Sequence, residues 1–72
     1  MKVKLHSNDE SAANATDSTL KMLPMGGDAH LLRGDDGKVE FDADGHATVI
    51  TANPGFVAFA LKNQGYVREV IG

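Results

Sequence analysis

The chain has 72 residues, with seven Lys and Arg against ten Asp and Glu, a formal charge of -3 and no cysteine. A body of this size hides only about 60% of the surface its unfolded chain exposes, so one thin-cored domain is the upper limit. The missing thiols exclude a disulfide framework or a thiolate zinc site as a staple. Residues 28 to 46 set Asp28, Asp35, Asp36, Glu40, Asp42 and Asp44 against only Arg33 and Lys38, and this acidic middle argues against a nucleic-acid partner.

The opening "MKVKLHSNDE" has no apolar signal-like run, and no stretch approaches the roughly 20 apolar residues of a membrane span. The expected location is therefore the cytoplasm, with no export and no membrane partner, and the sequon Asn14-Ala15-Thr16 is expected to be idle. Residues 2 to 6, "KVKLH", alternate Val3 and Leu5 with Lys2, Lys4 and His6. This is the period of a strand with one wet face, and its lysines suit an edge. "SNDESAANATDST" follows, with Ala as its only apolar type. Its Ser, Asn, Asp and Thr compete for the backbone, so residues 7 to 19 read as a polar flexible loop or an arm that orders on a neighbour.

"TLKMLPM" restores apolar character at 19 to 25, with Pro24 keeping it out of a helix interior or a central strand. It reads as an irregular or edge segment whose Leu20, Met22 and Leu23 cover part of the core. "AHLLR", "KVEFDA" and "HATVITA", separated by "GDDG" and "DG", read as a meander. The register at Asp44-Gly45 stays open. A two-residue loop would put Val39, Phe41, Ala43, His46, Thr48 and Ile50 on one face, and a three-residue loop would join Val39 and Phe41 to Ala47 and Val49.

Asn53, Pro54 and Gly65 are start and stop signals for a helix over about 54 to 63. Phe56, Val57, Phe59, Ala60 and Leu61 occupy more than one stripe of it, so one sheet face cannot hide them all. "YVREVI" then forms a last strand, with Tyr66, Arg68 and Val70 expected on one face and Val67, Glu69 and Ile71 on the other. The fold class is α+β: a small antiparallel sheet of four to five short strands in a meander, with one short helix in the C-terminal half followed by a final strand. The chain is read as a single domain over 1 to 72.

No motif carries recognisable chemistry. Arg33-Gly34-Asp35 spells an integrin tripeptide but reads as a turn. Glu40, Asp42, Asp44 and Gly45 echo the start of a calcium loop, yet His46, Ala47 and Thr51 stand where its later positions need other residues. His6, His30 and His46 share no ligand spacing and read as exposed strand histidines. Ser7, Ser11 and Ser18 lie in the polar segment, where a catalytic base could not be held in place. The expectation is no catalytic residue, no metal and no cofactor, hence no enzyme.

The layout of residues 1 to 9, "MKVKLHSND", and of 53 to 70, with its apolar helix and "NQGYVREV", resembles the small virion-associated proteins of tailed bacteriophages. That resemblance implies capsid decoration, cementing or a head-tail accessory role, always within an oligomer, and it assigns no site. The residues themselves suggest an interaction protein, with Phe56, Phe59, Leu61 and Tyr66 as anchors for a second copy or a viral shell or connector protein. The alternative is a small cytosolic regulator or inhibitor that captures a basic partner through the acidic hairpin of Asp35, Asp36, Glu40, Asp42 and Asp44.

Overall fold

A computed structural model describes residues 1–7, 9–24 and 28–72. In chain order it contains β1 (Lys2–Leu5), α1 (Glu10–Lys21), β2 (His30–Leu31), β3 (Ala47–Ile50), α2 (Pro54–Gln64) and β4 (Val67–Ile71). The four strands form one antiparallel sheet in the order β2-β3-β1-β4. The fold is α+β as expected, and a final strand does follow the C-terminal helix.

The polar segment is not a loop: it folds as α1, and the reason is local. Asp9 stands at the N-cap and accepts the Ala12 N–H at 2.8 Å, while the Ser7 hydroxyl donates to its other oxygen at 2.9 Å. These two bonds, Ala12 first, hold the Asp9 carboxyl below its ordinary range. Glu10 in the first turn and Lys21 in the last suit the helix dipole. Thr16 donates its hydroxyl to the Ala12 carbonyl at 2.9 Å, so a polar side chain is buried without an unmet bond. Ala13, Thr16 and Leu20 form the buried stripe. Leu20 therefore does cover the core and Leu23 does so in part, whereas Met22 is exposed; Met25 lies outside the described residues.

Strand β1 is central rather than an edge. Val3 pairs with Ala47 of β3 on one side and Val70 of β4 on the other. Val3 and Leu5 are buried, and Lys2 and Lys4 turn to the opposite face. Strand β4 departs from simple alternation. Its register against β1 shifts between Lys4 and Leu5, so that Val70 faces Val3 while Val67 faces Leu5. The extra residue is a bulge, and it brings Val67 and Val70, three apart, to the same side, where both meet the core.

The meander is reduced. Strand β2 pairs directly with β3, His30 with Ile50 and Leu31 with Val49. The run between them makes only isolated bridges, Arg33 to Val39 and Phe41 to Ala47. Both turns share one design. In the first, the Gly34 N–H reaches the Lys38 carbonyl at 2.9 Å, and in the second the Asp42 N–H reaches that of His46 at 3.0 Å. Gly37 and Gly45 occupy the left-handed region at φ 78° and 77°, which completes a three-residue hairpin loop. The three-residue register is therefore the one adopted, and Val39, Ala47 and Val49 are buried with Phe41 packed beside them.

Helix α2 begins with the Val57 N–H on the Asn53 carbonyl at 3.1 Å. It ends at Gly65, whose left-handed φ of 73° lets the Tyr66 N–H return to the Leu61 carbonyl at 3.3 Å. Val57 and Leu61 enter the core formed with Val3, Leu5, Leu20, Leu31 and Val49. The accessible surface is 4198 Å², close to the roughly 4,300 Å² expected of a folded monomer of this mass.

Candidate interaction surface

The four anchors expected from sequence do not share one environment. Leu61 is 1% exposed; it belongs to the core and is unavailable to a partner, which corrects its place among the anchors. Phe56 and Tyr66 are half-buried against that core. Phe59 alone stands out, 67% exposed. Helical geometry explains the split: at 100° per residue Val57 and Leu61 point within about 40° of one another, and Phe59 points about 180° away from their mean direction. Exposed Gly55, Lys62 and Asn63 occupy the i-4, i+3 and i+4 positions around it. The surface offered is one aromatic ring, the accessible part of Phe56 and a single charge, Lys62.

The acidic hairpin residues are exposed but serve different purposes. Asp36 accepts the Lys38 N–H at 3.0 Å. Its Oδ1 and the Glu40 Oε1 come within 3.3 and 3.0 Å of the point where a side chain on Gly34 would begin, so these carboxylates gather at one turn with Asp35 beside them. Asp42 is occupied by its own loop. Its Oδ1 accepts the Asp44 and His46 N–H groups, each at 2.9 Å, and its Oδ2 pairs with Lys2 Nζ at 3.2 Å.

The His46 N–H, then Lys2 and the Asp44 N–H, hold the Asp42 carboxyl down at about 2 against an ordinary 3.8. A carboxylate favoured in the fold stabilises it fully above the unfolded value and loses that contribution as pH falls through the folded one. Urea midpoints are therefore expected to fall between pH 4 and pH 2, and Asp42→Asn is expected to lower the midpoint at neutral pH while flattening this acid-induced decline. An unchanged decline in Asp42→Asn would assign the acid sensitivity to other carboxylates.

His6 and His30 are exposed, but the His46 side chain is only 10% exposed, with Nε2 3.4 Å from Glu69 Oε2 and Nδ1 3.7 Å from Asp42 Oδ1. It is a partly enclosed histidine that joins the second hairpin to β4. Asp42, Asp44 and His46 can each bring one donor atom within 4.8 Å of the others. Three donors fall one short of the closed protein set of a structural zinc site, and Asp42 already accepts from the Asp44 and His46 N–H groups and from Lys2, bonds by which the turn itself gathers these side chains.

A second polar cluster, not anticipated from sequence, holds α1 to the body. Arg33 Nη1 donates to Glu10 Oε1 at 2.5 Å and to the Gly37 carbonyl at 2.8 Å, and Nη2 donates to Asn14 Oδ1 at 2.9 Å and Asp17 Oδ2 at 2.7 Å. Asp17, ahead of Glu10, raises the Arg33 guanidinium further above its already high range. The first residue of the Arg-Gly-Asp tripeptide is thus committed inside the molecule. The spacing of Glu10, Asn14 and Asp17 along one helix face was the available signal, hidden by reading that segment as a loop. Ser11 and Ser18 face solvent on α1.

Among the described residues there is no enclosed pocket, and no helix is long and apolar enough to cross a membrane. Comparison with known proteins matches the chain to no family model, no curated protein and no solved structure.

Proposed function

We propose that the chain is a non-enzymatic interaction protein that associates with copies of itself through the outer face of α2, as a repeated structural part of a larger assembly. The observation that carries this reading is Phe59, a large aromatic projecting from the side of α2 opposite the core. Helix α2 carries no carboxylate of its own, so a second copy approaching this face meets little like charge from the helix. The bacteriophage virion role suggested by the resemblance, as a capsid decoration, cement or head-tail accessory protein, fits this reading as the kind of array in which such a contact would be used.

Magnitudes set the character of the contact. Burying one aromatic side chain contributes about 1.5–3 kcal/mol, whereas association costs at least about 4 kcal/mol in lost freedom. With one such ring from each copy the surplus is at most about 2 kcal/mol, so two copies alone should meet only very weakly, with a Kd on the order of 30 mM or weaker, and many such contacts in an array would add through high effective concentration. In sedimentation velocity the mean coefficient should rise slightly between roughly 0.1 and 5 mM, and Phe59→Ser should abolish the rise without altering the circular dichroism spectrum. A strict monomer at every concentration would sink the self-association reading.

The gathering of Asp36 and Glu40 over Gly34, with Asp35 adjacent, favours a second reading: capture of a basic partner in a regulatory role. Added salt separates the two. Charge-steered capture would slow steeply between 0.05 and 0.5 M salt, on the order of a tenfold loss in association rate, while contact through Phe59 would change little.

A further inference from the structure

The edge of the sheet at β2 raises a question of its own. The Leu32 N–H bonds to the Thr48 carbonyl of β3, so by strand alternation the Leu31 N–H points away from the sheet. There it donates to Asp17 Oδ1 of α1 at 2.9 Å. Arg33, just beyond β2, is held by Glu10, Asn14 and Asp17 of the same helix. Helix α1 therefore covers the edge that would otherwise be open to strand addition.

Its hold is mostly polar. The buried residues of α1 are Ala13, Thr16 and Leu20, two of them small, and its principal packing partner is β2. The rest of the core, from Val3, Leu5, Leu31 and Val49 to Val57 and Leu61, is assembled by the sheet and α2. Half of the helix consists of Ser11, Asn14, Thr16, Asp17, Ser18 and Thr19, residues of modest helix propensity, and a helix of twelve residues is marginal when undocked. An element that contributes so little apolar burial to the core it rests on is the kind of unit that opens on its own.

We propose that α1 is a releasable guard over the β2 edge, opening as a unit while β1, β3, β4 and α2 stay folded. Opening uncovers the Leu31 N–H and releases the Arg33 guanidinium from Glu10, Asn14 and Asp17, leaving it held only by the Gly37 carbonyl, so that the β2 edge can take up an extended segment bearing a carboxylate in place of Asp17. This inference is independent of the contact assigned to Phe59.

Native-state hydrogen exchange on the full chain tests it. Amides from Ala13 to Leu20 should exchange at least tenfold faster than those of Val3 and Val49, and low urea should scarcely accelerate them. In Ala15→Pro, at an exposed position in the middle of α1, the signals of α1 should collapse to random-coil positions while those of β1, β3, α2 and β4 remain dispersed. Equal exchange rates that rise in parallel with urea would overturn the proposal, and so would loss of dispersion throughout Ala15→Pro.

Discussion

Leu61→Ala should bring the fold close to collapse, whereas Phe59→Ala, two positions earlier on the same helix, should leave it standing. Leu61 is 1% exposed and Phe59 67%. Truncating a buried leucine removes transfer free energy and leaves a cavity, together costing about 2–5 kcal/mol. A domain of this length is stable by roughly 4–11 kcal/mol at 0.05–0.15 kcal/mol per residue, so the loss is a large share of the total. An exposed substitution usually stays within about 0.5 kcal/mol. Urea unfolding followed by circular dichroism should show a greatly lowered midpoint for Leu61→Ala and an unshifted one for Phe59→Ala. The reverse pattern would mean that α2 is rotated about its axis relative to the sheet.

Asp17→Ala should be the most damaging polar substitution, because one carboxylate serves two partners: Oδ1 accepts the Leu31 N–H and Oδ2 pairs with Arg33. The Asp17 side chain is 16% exposed and that of Arg33 27%, so water only partly replaces what is lost. Leaving a part-buried donor and a guanidinium under-satisfied costs about 2–3 kcal/mol. Asp17→Asn retains an acceptor for Leu31 but not the charge for Arg33, and should fall between the wild type and Asp17→Ala. The cost falls on the contact between α1 and β2, so helical signal should fade at lower urea than the sheet does. Equal stability for all three would show that the ring of bonds around Arg33 contributes nothing net.

Much of the fold was legible where the chain is punctuated. Asn53, Pro54 and Gly65 bound α2 because each is suited to a backbone position that other residues occupy at a cost. The turns at 34 to 38 and 42 to 46 were legible for the same reason. Helix α1 was hidden because its inward stripe is Ala13, Thr16 and Leu20, too small and too polar to register as an apolar face; only Asp9, Glu10 and Lys21 marked its ends. The hairpin register turned on Gly45, whose left-handed φ suits the third position of a three-residue loop as well as a two-residue turn.

The strand pattern of β4 failed for a different reason. A bulge reverses the facing of every residue beyond it, and nothing in "YVREVI" announces one. Among the anchors, sequence correctly signalled more apolar surface on α2 than one face can hide. It could not say which residue would be left outside, since that depends on how the helix is rotated over the sheet. Val57 and Leu61 took the inward direction, and Phe59, opposite both, was the remainder.

A dilution series of amide spectra is the most direct test of the contact assigned to α2. Between roughly 0.05 and 5 mM, a range over which a constant on the order of 30 mM gives a small but measurable associated fraction, shifts should move progressively at Gly55, Phe56, Phe59, Lys62 and Asn63 and stay fixed at Asp35, Asp36 and Glu40. Invariant spectra across that range, or movement confined to the acidic hairpins, would contradict self-association through Phe59.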